Sequence, residues 1–251
     1  MIELAALPGL PEIRPGDDLG ALLAEAAQRL DGGLAGDDVL AVAHKVVSKA
    51  EGRVVELAGV EPGERALALA AEHGKDPRHV QVVLDESVEL VRADRGRLIC
   101  RTRHGFVCAN AGVDASNAGG EDRLVLLPLD PDASARALRR ALARRLGVAP
   151  AIVVTDSFGR AWRHAQCEIS VGCAGLAPID DYRGRVDAGG RALRVTATAI
   201  ADEAAAAADL VRAKASLEPA VRVRGLGRHV TAEDGPGAAA LIRARDEDLF
   251  T

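Results

Sequence analysis

Between Asp17 and Leu30, apolar residues fall at Leu19, Leu22, Leu23, Ala26 and Leu30, the spacing of one helix face. Asp17 or Asp18 is placed to cap that helix and Gly32-Gly33 to end it. Asp38 to Ala43 is an apolar run of strand type leading into His44 to Arg53, a polar segment rich in potential phosphate contacts. A second helical pattern covers Glu64 to Glu72, and Lys75-Asp76-Pro77-Arg78 breaks it ahead of two apolar runs, Val80 to Leu84 and Val88 to Val91. Leu98-Ile99-Cys100 and Phe106-Val107-Cys108 flank Arg103-His104-Gly105 and predict a β-hairpin. Small residues and glycines then make Ala109 to Gly120 an open loop around Asp114 and Asn117.

Further on, Leu124 to Leu129 predicts a short strand, and Ala133 to Leu146 a helix capped by Ser134 or Asp132. Ala151-Ile152-Val153-Val154 predicts a buried strand ending in a polar cluster, Thr155 to Arg163. Leu193 to Thr198 and Val221 to Val223 are further strand patterns, separated by an alanine-rich helical one from Asp202 to Ala215. Hairpins mixed with strand-helix alternation predict an α+β fold, a two-lobed subunit with a mixed sheet, neither Rossmann nor P-loop. We take residues 1–251 as one unit, with a weak internal boundary at 147–150 and a C-terminal helix or tail over 235–251.

Composition narrows the class. With 251 residues, 48% of them apolar, and a mean hydropathy of +0.05, the chain can bury a substantial core, built from small aliphatic contacts because aromatics are only 2%. Net charge is −5 with the charges interspersed, which argues against a nucleic-acid footprint. No basic leader opens the chain and no apolar run has the length of a membrane span, so a soluble cytoplasmic protein is expected. Cys100, Cys108, Cys167 and Cys173 lack zinc or redox spacing and read as small hydrophobes.

The chemistry concentrates after strands. Asp156 beside Ser157 offers hard oxygen ligands, and Arg160 and Arg163 offer planar guanidiniums able to clamp phosphate or carboxylate. Asp114 is the second candidate metal carboxylate, since magnesium and manganese favour oxygen donors from separate segments. The competing reading makes each Asp a turn carboxylate and each Arg half of a structural ion pair. His44 is the one histidine placed near a ligand. GxxxxGK(S/T), GxGxxG, GxSxG and HExxH are all absent, which removes the standard nucleotide loops, the serine elbow and the zinc protease helix.

Taken in order, Leu10 to Leu19, the KVVSKAEGR segment ending at Arg53, CANAGVDASN from Cys108, LLPLDPDAS from Leu126, TDSFGRAWR from Thr155 and ADEAAAAADLV from Ala201 resemble the coenzyme F420-0:L-glutamate ligase family. The resemblance runs from about Leu7 to Gly225 and is to the stand-alone ligase, without the nitroreductase-like C-terminal domain of some actinobacterial relatives. It implies a two-lobed homodimer that uses GTP and a divalent metal, Mg2+ or Mn2+, with K+ as a further cation. The implied reaction adds L-glutamate to the lactyl carboxylate of F420-0 through an acyl phosphate, releasing GDP and phosphate.

By position, Leu10, Pro11, Glu12, Ile13, His44, Lys49 and Asn117 match nucleotide contacts, and Asp114, Asp156 and Ser157 match metal positions. Lys49 is also assigned to catalysis, with Arg160 and Arg163 proposed on chemistry alone. By the same resemblance, His44 stands where relatives often carry Ser or Gln, and Lys214 where some archaeal members offer a Gln to a second metal. Two alternatives stay open: an amide ligase with another acidic acceptor, and a non-catalytic nucleotide-binding protein.

Overall fold

The computed structural model describes residues 1–212 and 217–248. In chain order its strands are β1 (Glu3–Ala6), β2 (Val39–Ala43), β3 (Val54–Glu56), β4 (Ser87–Asp94), β5 (Arg97–Thr102), β6 (Val107–Ala109), β7 (Arg123–Val125), β8 (Ala151–Arg160), β9 (Arg163–Ala174), β10 (Asp180–Asp181), β11 (Ala197–Thr198) and β12 (Ala220–Arg224). The helices are α1 (Leu19–Arg29), α2 (His44–Ala50), α3 (Glu64–His73), α4 (Pro77–Asp85), α5 (Pro131–Leu146) and α6 (Ile200–Asp209). The fold is mixed α and β, as the pattern of apolar positions predicted.

A five-stranded sheet in the order β1-β12-β2-β8-β9 forms the centre, antiparallel except for the β2–β8 pair. Because side chains alternate across a strand, β2 sends Leu40 and Val42 to one face and Val39 and Ala41 to the other, and all four are fully buried. The first face packs on Leu23 and Ala27 of α1 and Leu138 and Leu142 of α5. The second packs on the alanine face of α6, Ala201, Ala204, Ala205 and Ala208. A third core lies within residues 54–126, where Ala66 and Ala70 of α3 and Val80 and Val83 of α4 meet Leu98 and Cys100 of β5. Gly172 marks close packing: a Cβ there would stand 2.3 Å from the carbonyl oxygen of Pro131, so the start of α5 lies directly on β9.

Several boundaries differ from the expected ones. The polar segment after β2 is helical from its first residue, and Val80 to Leu84 belongs to α4, started by the Asp76 cap and Pro77 at the first turn. Asp130, not Ser134 or Asp132, caps α5, because Pro131 fixes the first helical position two residues before the expected Ala133. Asp132 instead accepts the backbone N–H groups of Cys173 and Ala238 at 2.8 and 2.7 Å, and the Ser134 hydroxyl donates to Glu51. The strand expected over Leu124 to Leu129 stops at Val125, and only Ala197–Thr198 of the Leu193 to Thr198 pattern is a strand. Helix α6 ends at Asp209, and its predicted extension reaches residues 213–216, outside those described. After Gly235 the described chain forms two short 3-10 turns, Ala238–Leu241 and Arg245–Glu247. The link at 147–150 joins α5 to β8, Gly147 closing the helix with φ 73°.

The strand expected to end at Val154 also runs further than expected. Strand β8 continues through the polar cluster to Arg160 and folds back on β9, with Ser157 opposite Glu168 and Arg160 opposite Arg163. Phe158 reaches the first core, its ring edge-on to Phe106 at 5.9 Å between centroids.

Candidate active site

The one parallel pair of the central sheet sets the site. Ala43 at the end of β2 lies beside Thr155 of β8, so α2 begins where Asp156 and Ser157 emerge. Crevices at the carboxyl ends of parallel strands are where α/β proteins place ligands. Here the crevice is a cavity of about 210 Å³. One wall is the segment Leu10, Pro11, Glu12 and Ile13, and another is His44, Lys45 and Lys49 of α2. Asn117 closes a third side, and Thr155, Asp156, Ser157, Glu168 and Arg212 form the floor.

Charge in this cleft is held in pairs. Lys49 is only 6% exposed, and its ammonium donates to Glu12 Oε1 at 2.5 Å. His44 is 1% exposed, with Nδ1 3.3 Å from Ser48 Oγ. Its Nε2 stands 3.3 Å from Asp156 Oδ1, within electrostatic reach, yet makes no aligned hydrogen bond. On the floor, Glu168 is 6% exposed and both its oxygens are used: Ser157 Oγ donates to Oε1 at 2.5 Å and Arg212 Nη2 to Oε2 at 2.7 Å. Arg212 Nη2 also reaches Thr155 Oγ1 at 3.0 Å. The buried carboxylate and guanidinium compensate each other's desolvation and join two strands to the segment after α6.

Asp114 sits on its loop beside the cleft, tied to α2 through Lys45, whose Nζ is 2.6 Å from Oδ2. Burial by itself would raise the Asp114 carboxyl; the Lys45 ammonium and the Ser116 amide outweigh it and hold the group below the ordinary carboxylate range. Ser116 donates to it twice, at 2.6 Å from N–H and 2.9 Å from the hydroxyl. Asp114 is therefore absent from the residues lining the cavity, whereas Asp156 and Ser157 line it.

Arg160 and Arg163 are elsewhere. Both are exposed at the far end of the β8–β9 hairpin, and Arg160 donates to the His164 carbonyl at 2.9 Å. Continuation of the strand carries them past the cleft. The guanidinium at the cavity is Arg212, which the sequence reading missed together with Glu168; Thr155 and Lys45 lie within polar segments it singled out without assigning them a role. Lys214, raised as a departure near a second metal, lies outside the described residues.

The cysteines are free thiols, three buried and Cys167 half-buried. Burial pushes the Cys108 and Cys173 thiols up to about 12, which suits inert packing. Among the described residues no three of His, Cys, Asp and Glu gather as a metal cage. Asp156 and Ser157 nevertheless supply hard oxygen donors to the cleft they line, which fits a magnesium-like cation that keeps water and takes ligand phosphate as well. No helix among the described residues is long and apolar enough to cross a membrane.

A cleft with oxygen donors on its floor and ammonium and guanidinium groups around it is chemically suited to an anionic ligand handled with a cation. The chain belongs to the F420-0:gamma-glutamyl ligase family, whose model matches residues 9–225. It is 43% identical over 251 residues to the coenzyme F420:L-glutamate ligase of Methanopyrus kandleri, covering 99% of this chain and 97% of the relative. The protein of the same name from Methanothermobacter thermautotrophicus is 41% identical over 251 residues, covering 99% and 98%. That from Halobacterium salinarum is 44% identical over 251 residues, covering 97% and 93%.

Proposed function

We propose that this protein is a carbon-nitrogen ligase that joins L-glutamate to the lactyl carboxylate of F420-0 at the expense of GTP, acting as a cytoplasmic homodimer in coenzyme F420 biosynthesis. What carries the reading is the convergence of Leu10–Ile13, His44, Lys49, Asn117, Asp156 and Ser157 on a single cleft in a chain of this family. In the reaction, the acceptor carboxylate oxygen attacks the γ-phosphorus and GDP leaves. The glutamate amine then attacks the acyl carbon, loses a proton, and phosphate departs with the activating oxygen.

Each step moves negative charge, so the residues act by positioning and charge complementarity. Lys49 and Arg212 hold phosphate oxygens, and Asn117 and the Leu10–Ile13 segment hold the nucleotide. Asp156 and Ser157 would hold Mg2+ or Mn2+, which when bound neutralises charge on the phosphates. Asp114 acts from beside the cleft by orienting Lys45, and K+ would serve as an additional counter-ion. Arg160 and Arg163, exposed at the hairpin end, take no part in this reading. The test is incubation with GTP, manganese, glutamate and F420-0: a glutamylated acceptor by mass spectrometry is expected, and GDP release only with a different acid would redirect the assignment to that acceptor.

A further inference from the structure

Ser157 carries one hydroxyl proton, and in this structure it is spent on Glu168 Oε1 at 2.5 Å. The two remaining lone pairs of Ser157 Oγ are thereby left for the cavity it lines. The other Glu168 oxygen is committed to Arg212, whose Nη2 is shared with Thr155. Glu168 is 6% exposed, so neither bond competes freely with water. One buried carboxylate thus fixes an acceptor-only oxygen and a cation side by side in the cleft.

We propose that Glu168 is a positioning residue for phosphoryl transfer: it keeps Ser157 Oγ facing the cleft as an electron-pair donor for the divalent cation, and aims Arg212 at the nucleotide phosphates. This rests on the nucleotide-ligase reading but concerns metal and phosphate rather than the acceptor. A neutral amide at position 168 defeats both functions, because its NH2 can donate to Ser157 and turn the hydroxyl proton toward the cation, and its single carbonyl cannot neutralise Arg212. A shorter carboxylate keeps the sign of the charge and loses only reach.

The experiment measures Mn2+ binding by electron paramagnetic resonance with saturating GDP, beside thermal melts, for the wild type, Glu168→Gln, Glu168→Asp, Ser157→Ala and the Ser157→Ala/Glu168→Gln double variant. Expected are a loss of Mn2+ affinity of about tenfold or more in Glu168→Gln, a smaller loss in Glu168→Asp, and a double variant within about twofold of Ser157→Ala, since Glu168→Gln acts on the cation through the oxygen that Ser157→Ala already removes. Mn2+ affinity in Glu168→Gln equal to wild type, multiplicative losses in the double variant, or no Mn2+ binding by the wild type with GDP would each overturn the proposal. Because no acceptor is present, binding as expected alongside a failed glutamylation assay would sink the acceptor assignment and leave the role of Glu168 standing.

Discussion

Strand β8 and the turn after it hold two polar stretches from one contiguous motif, and the two differ in every physical respect. Thr155, Asp156 and Ser157 lie beside the parallel partner β2, under α2, with the buried pair of Glu168 and Arg212 next to them. Arg160, Trp162 and Arg163 lie beyond the reach of the neighbouring helices, exposed at the hairpin end, with Trp162 turning the chain at φ 58°. The first stretch is buried at Thr155 and half-buried at Asp156 and Ser157, where backbone and helix leave a crevice, so its charge gains from being paired or ligated. The second is screened by water, where a guanidinium gains little from a neighbour. Functional potential follows the enclosure of a side chain more than its chemical type.

Three variants sharpen that contrast. Asp156→Asn removes a charge from the cavity without changing its volume, and we expect kcat to fall by about 100-fold or more, the several kcal/mol that metal-assisted charge stabilisation supplies. Its melting temperature should stay near the wild-type value, and near-normal turnover would mean that Asp156 holds no cation. Asp114→Asn acts one step outside the cavity, through Lys45. The native Asp114 carboxyl lies below its ordinary value of 3.8, so the stability it contributes is full above that pH and is lost as pH falls through the lowered native value. Melts of wild type and Asp114→Asn against pH should therefore differ at neutrality and converge in acid; a pH-independent gap would contradict the ion pair. At the hairpin end, the Arg160→Ala/Arg163→Ala double variant should keep kcat/KM within about twofold and stability within about 0.5 kcal/mol, as exposed substitutions do. A large loss of turnover there would reverse the comparison between the two stretches.

The periodic elements were legible because their signals are local. Helix α1 and its Asp18 cap, the β5–β6 hairpin and the two-faced burial of β2 all follow from spacing over a few residues. Candidate residues carried by motif, such as Lys49, Asn117 and Asp156, also reached the cleft. Glu168 and Arg212 did not announce themselves, since their bond spans 44 residues and each alone looks like a solvated charge. The one local hint for Glu168 was an acid entering the apolar stretch that continues through Ile169 and Val171. Arg160 and Arg163 were proposed on guanidinium chemistry alone, and only the pairing of β8 with β9 shows that the strand runs on and carries them past the cleft.

The route through an activated carboxylate is tested most directly by oxygen transfer. F420-0 bearing 18O in its lactyl carboxylate is turned over with GTP, manganese and glutamate, and the released phosphate is analysed by mass spectrometry. An acyl-phosphate route predicts one 18O atom in each phosphate formed with glutamylated product. Unlabelled phosphate accompanying that product would contradict carboxylate activation in this cleft.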